Sequence, residues 1–120
     1  AAFLNSEGGY LVIGVEDEGG IVGLAHDYQT IQRKDADGFE NHFTQIFRSM
    51  IGAEFRGFVH LHFHTREGKE ICAVQVLPAT SPVYLLGDGK EEFFIRTGNT
   101  TSSLNFREAH AYIRSRWGAA

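Results

Sequence analysis

The stretch FLNSEGGYLVIGVEDEGGIVGL, residues 3–24, constrains the fold of this chain more than any other. Its centre, YLVIGV at 10–15, is β-branched and aromatic, and glycine-rich punctuation bounds it on both sides, which is the signature of a buried strand. A phosphate-binding P-loop would need Gly-x-x-x-x-Gly-Lys-Ser/Thr, yet no lysine occurs before Lys34. A dinucleotide fingerprint would need strand, Gly-x-Gly-x-x-Gly and helix in direct succession, and Gly14, Gly19, Gly20 and Gly23 do not fit that spacing. The glycines therefore shape a sheet. Gly8-Gly9 stop a helix and turn into the strand, and Gly19-Gly20 make a tight turn from which residues 21–24 return as a short partner strand. AAFLNSEGG has the form of a helix's last turn with its glycine stop, so residues upstream of Ala1 are expected.

Further along, Phe39, Phe43, Ile46, Phe47 and Met50 make one helical stripe and predict a helix over 36–51, with Asp37 and Glu40 as its capping box. FVHLHFH alternates strictly, and EICAVQVL follows after TREGK, which predicts a hairpin. SPVYLL, GDGKE and EFFIR predict a second hairpin. A last helix is expected over 105–117, capped by Asn105 with Glu108 and striped by Phe106, Ala109, Ile113 and Trp117. The order of strand, helix, two hairpins and helix reads as an α+β domain spanning 1–117, with a mixed, mostly antiparallel sheet and two helices.

Bulk properties narrow the function. The 120 residues suit one domain with a hydrophobic core. No apolar run approaches the ~20 residues of a membrane span, so no membrane partner is expected. The single cysteine, Cys72, excludes an internal disulfide and points to a reducing, cytoplasmic compartment. A net charge of −4 argues against indiscriminate polyanion binding. The charge is uneven, however: residues 96–117 carry Arg96, Arg107, Arg114 and Arg116 against Glu108 alone.

Several constellations could carry chemistry. Glu16, Asp17 and Glu18 follow the first strand, where carboxylates either bind a divalent cation or form a solvated turn. His60, His62 and His64 project from one face of a strand. The outer two lie ~13 Å apart, too far to share one metal ion, so a face meeting a partner or an anion is expected. Cys72 alternates with Val74 and Val76 and reads as core. In FFIRTGNTTSSL, Arg96 ends a strand at a turn rich in Asn99, Thr100 and further hydroxyls, a set suited to phosphate oxygens. The alternative is that Arg96 ties down its own loop. Arg107, His110 and Arg114 share one face of the final helix, either a phosphate-contacting face or a solvated one.

Three of these segments, in order, resemble a known family. AFLNSEGGYLVIGVEDEGGIVGL looks like the opening of the AlbA-like domain of the Schlafen group: Ala-Phe-x-Asn, two glycines, a strand ending in Gly-Val, an acidic turn, then Val-Gly. Pro82-Val83-Tyr84 and FFIRTGNTT resemble its later elements, and the likeness covers about residues 1–114. It implies an AlbA-like two-layer sandwich, incomplete at its N-terminus here, and a DNA-binding module within a longer transcription-regulator-like or ATPase-bearing chain. Similar domains of animal Schlafen proteins cleave RNA with three carboxylates. Two of these belong to an upstream segment that this sequence does not contain, and the third matches Asp17. The first expectation is thus DNA or RNA binding through Arg96, Asn99, Thr100, Arg107 and Arg114, with no metal or cofactor. A ribonuclease reading would add catalytic Asp17 and magnesium or manganese. A third reading is a protein-binding or assembly domain, since open sheet edges invite pairing into a homodimer.

Overall fold

A computed structural model describes residues 1–15, 20–21, 23–24 and 35–118. The elements are β1 (Gly9–Ile13), α1 (Ala36–Met50), a 3-10 helix (Ala53–Phe58), β2 (Val59–Arg66), β3 (Lys69–Val76), β4 (Leu85–Gly87), β5 (Lys90–Thr97), β6 (Thr100–Leu104) and α2 (Phe106–Trp117). They form two three-stranded sheets, ordered β1-β3-β2 and β4-β5-β6. The expected α+β sandwich is present, although every strand pairing among the described residues is antiparallel rather than mixed. The acidic turn at 16–18 and the polar loop at 25–34 lie outside the described residues.

Turn chemistry sets the register. Glu67-Gly68 and Asp88-Gly89 both hold positive φ, as two-residue type I′ hairpin turns require. Gly98-Asn99 closes a third hairpin, with positive φ at Gly98. That hairpin corrects the sequence reading: Thr100–Leu104 is strand β6, not a loop. Its hydroxyl residues are turn-like by composition, but they sit one step beyond a glycine turn and complete the ladder to β5. Among the described residues of the expected return strand, Ile21 bridges Val15 and Gly23 N donates to Gly14 O (2.8 Å).

Both helices form where periodicity put them, with two corrections. Asp35, not Asp37, caps α1, its carboxylate accepting from Gly38 N at 2.8 Å. Asn105 and Glu108 do form the capping box of α2, at 2.9 and 3.0 Å. The apolar stripe of α2 is displaced from the expected one. Phe106, at the first turn, is 97% exposed. Tyr112 takes its place, with its ring 5.9 Å from Phe93 and 6.0 Å from Trp117.

The main core lies between α1 and the inner face of the β1-β3-β2 sheet. Leu4, Leu24, Phe47, Val59, Cys72 and Val74 are buried there, with Phe39, Phe43, Leu61 and Phe63 packed around them. Ile46, expected in the stripe, remains 44% exposed at an apolar cleft of about 270 Å³. Opposed residues of an antiparallel pair share a face, so the register puts Leu11, Val74 and Leu61 inside and Tyr10, Gln75 and His60 outside.

The two halves meet at a helix-like turn over residues 2–7. Gly8 ends it at φ 77°, where a Cβ would lie 2.3 Å from Val76 O. Asn5 is completely buried. Its Nδ2 donates to Val83 O (2.7 Å) and Phe94 O (2.9 Å), and its Oδ1 accepts from Val83 N (2.8 Å). The hydroxyl of Ser6 accepts from Arg96 N at 2.8 Å. The molecule is elongated, 49 × 29 × 24 Å, with a radius of gyration of 15.8 Å, against about 13–14 Å for a compact chain of this length.

Candidate nucleic-acid interface

The β5–β6 hairpin and α2 present the arginines singled out from the sequence. β5 extends through Thr97, so Arg96 lies within a ladder and faces Thr101 across it. Its Nη1 donates to Thr101 Oγ1 (2.8 Å), and its Nε donates to Gly98 O (3.2 Å). The guanidinium carbon stands 5.3 Å from the centre of the Phe3 ring. Arg96 therefore fastens its own turn and is also pre-oriented, since a stacked, hydrogen-bonded fork has lost most of its rotamer freedom.

The register separates the hydroxyls that the sequence appeared to cluster. Thr101 and Ser103 share the Arg96 face of the sheet, whereas Thr100 and Ser102 lie on the other. Asn99 and Thr100 are exposed at the turn, with Thr100 Oγ1 donating to Asn99 Oδ1 at 3.3 Å. Arg107 and Arg114 are exposed on α2, two turns apart.

Arg116, in the last turn of α2, was not singled out as a site residue. It donates to the Ser6 carbonyl and, through Nη1, to Glu7 Oε1 at 3.2 Å. Ser6 thus joins Arg96 and Arg116, one through its hydroxyl and the other through its carbonyl. Trp117 Nε1 donates to Ala79 O (3.2 Å), and Tyr112 donates its hydroxyl to Asn5 O. The sequence signal for this hub was the resemblance of its segments, Asn5 in Ala-Phe-x-Asn, Val83 in Pro-Val-Tyr and Arg96 in FFIR, which carried no predicted contact.

The other candidates fall elsewhere. Asp17 lies outside the described residues. Among the described residues, no group of three His, Cys, Asp or Glu side chains could hold a metal ion. His60, His62 and His64 are exposed on the outer face of the β1-β3-β2 sheet. Cys72 is completely buried; desolvation, with a smaller push from the Glu40 charge, raises its thiol to about 11. A thiol so protonated at neutral pH is no nucleophile.

The sequence matches the model of the family described as Schlafen, AlbA_2 over residues 1–105. The chain belongs to that family. All three resembling segments meet at the Asn5–Ser6 hub: the Asn-Ser turn itself, Val83 of the Pro-Val-Tyr segment, and Phe94 and Arg96 of FFIR. In this AlbA_2 chain the motifs therefore serve the joint between the sheets. Among solved structures, the DIP2311 protein from Corynebacterium diphtheriae has a similar fold, with a TM-score of 0.62 and 21% identity. That match covers 98% of this chain and 18% of the other. No curated protein matches the sequence. No helix among the described residues is long and apolar enough to cross a membrane.

Proposed function

We propose that this AlbA_2 domain binds nucleic acid by its phosphate backbone, within a cytoplasmic, transcription-regulator-like protein. The observation that carries this reading is the pre-oriented guanidinium of Arg96 beside an exposed Gly98-Asn99 turn, in a segment whose arginines outnumber its acids four to one in a chain of net charge −4. Part of the Arg96 fork is spent on Thr101 and Gly98, which fixes its direction. A phosphate oxygen at the turn would find the fork already aimed, with Asn99 and Thr100 as further hydrogen-bonding groups. Arg107 and Arg114, exposed on α2, would offer further contacts to phosphate. Phosphate contacts position a protein on nucleic acid without reading sequence, so binding should be tolerant of sequence and strongly dependent on salt.

The test is fluorescence anisotropy with labelled duplex DNA, single-stranded DNA and RNA over a salt series. Arg96→Ala and the Arg107→Ala/Arg114→Ala pair should each weaken binding of every sequence alike and flatten the salt slope, by about one unit per phosphate contact removed. Thermal unfolding of Arg96→Ala is needed alongside, because the side chain also holds its turn. Binding that ignores salt, or none at low salt, ends this reading. The ribonuclease alternative rests on Asp17, and no described residue adds support to it.

A further inference from the structure

The outer face of the β1-β3-β2 sheet carries a feature that phosphate gripping does not use. The register aligns Tyr10, Gln75 and His60 in one cross-strand row, and Val12, Ala73 and His62 in the next. Tyr10 is 66% exposed and Val12 45%, and both histidines are exposed. Ala73 and Gln75, small or flexible, form the floor between flanking rings. His62 Nε2 stands 3.1 Å from Gln75 Oε1, holding an imidazole and an amide together at the centre of the window.

The window has a defined end and a defined charge. In the third row Ile71 is buried, and a Cβ on Gly14 would touch it at 3.3 Å. Lys69 Nζ donates to Ile21 O (3.2 Å), so the returning segment lies over that side. No carboxylate stands on this face among the described residues, since Glu70 pairs with Thr65 in the alternate row that faces inward. His64, Arg66 and Lys69 border it. Among the described residues, this face of an acidic protein is thus free of carboxylates.

We propose that this two-row window binds unpaired bases of single-stranded nucleic acid, stacked on Tyr10 and the His60 and His62 rings. The inference rests on the nucleic-acid reading above and names a second contact surface for it. An exposed sheet face carrying rings offers π-surfaces to bases that are not already stacked in a helix. Same-face rows lie ~6.8 Å apart along a strand, leaving room for one base per row. Every base has a π-face, so such stacking tolerates sequence. Gln75 and His62 add hydrogen-bonding groups at the base edges.

The experiment compares a labelled twelve-nucleotide oligo-dT with a twelve-pair duplex, by anisotropy at low salt, on three proteins. Tyr10→Ala/His60→Ala should weaken oligo-dT binding about tenfold or more, since one stacked base is worth about 1–3 kcal/mol, and should leave the duplex affinity unchanged. Arg96→Ala should weaken both ligands. Because Tyr10 and His60 are exposed, the double variant should keep the wild-type melting temperature. In Tyr10→Trp, oligo-dT should quench the new indole emission while the duplex does not. If the double variant binds oligo-dT as the wild type does, or the indole is not quenched, the window is not the site, even though phosphate gripping stands. If the wild type binds neither ligand, both readings fall together.

Discussion

In the half built on β1, β3, β2 and α1, buried apolar volume holds the structure together. Phe47, Val59, Cys72 and Val74 interlock there, with Leu4 and Leu24 sealing the edge. In the half built on β4, β5, β6 and α2, Phe93 and Ala109 are the only buried apolar side chains among the described residues. That half depends on directed polar contacts with one turn: Asn5 to Val83 and Phe94, Ser6 to Arg96, and the hydroxyl of Tyr112 to the Asn5 carbonyl. Apolar burial is non-directional and forgiving of small shifts, whereas hydrogen bonds in a dry joint fix geometry and fail abruptly when one partner is removed. The half that carries the proposed phosphate grip is therefore the one held by geometry, and Arg96 inherits its position through Ser6.

The most severe way to break this comparison is Asn5→Ala. It would leave Val83 O, Val83 N and Phe94 O without the side chain that pairs them, both bonds to Val83 being buried and that to Phe94 partly so. Buried polar groups left unpaired cost about 1–3 kcal/mol each, so a loss of roughly 3–5 kcal/mol is expected in urea unfolding. Amide hydrogen exchange would show where the loss falls. Protection in β5 and β6 should collapse first, with β3 retaining most of its own. Equal loss in both sheets would show that the halves unfold as one unit and that the distinction drawn here has no energetic content.

How much of this was legible in the sequence follows the same division. The β2–β3 hairpin, α1 and the Asn105 cap were readable because their signals are local: alternation, a 3.6-residue stripe, a capping box. Cys72 was readable as core from its alternation with Val74. What escaped notice depends on contacts far apart in sequence. Asn5 meets Val83 and Phe94, and nothing local distinguishes a buried bridging asparagine from one in a solvated turn. Strand β6 was missed because Thr and Ser are common in turns and because pairing with β5, not composition, makes it a strand. The α2 stripe was misplaced because Phe106 is the stronger hydrophobe, while the joint selects Tyr112, which offers both a ring and a hydroxyl. For the site, Arg96 was visible by residue type, but the opposite facing of Thr100 and Thr101 needed a register.

A gentler challenge targets the apolar half through pH. The Cys72 thiol titrates at about 11 in the folded chain against 9.0 for an ordinary thiol, since burial disfavours the thiolate. The folded state therefore holds its proton more tightly than the unfolded state. Stability from this group is fully present below pH 9 and falls as pH rises toward 11, by about 2–3 kcal/mol. The quantity to measure is the difference between wild type and Cys72→Ala, in which every other contribution to the pH dependence cancels. The variant is less stable at neutral pH because of the cavity it leaves, but the gap should narrow between pH 9 and 11. A constant gap would mean that the thiolate finds solvent and that the core is looser than its packing indicates.

The smallest effect tests the joint atom by atom. Tyr112→Phe keeps the ring against Phe93 and Trp117 and removes only the hydroxyl that donates to the Asn5 carbonyl. A single hydrogen bond of this kind contributes about 1 kcal/mol. If the second half is held by directed bonds, the loss should be measurable and coupled to Asn5, because Asn5→Ala displaces the backbone that accepts from Tyr112. In a double-mutant cycle, Asn5→Ala/Tyr112→Phe should then cost less than the two single changes added together. Strict additivity would mean that Tyr112 acts through its ring alone. The aromatic cluster of Phe93, Tyr112 and Trp117 would then be a small apolar core in its own right, and the two halves would differ in degree rather than in kind.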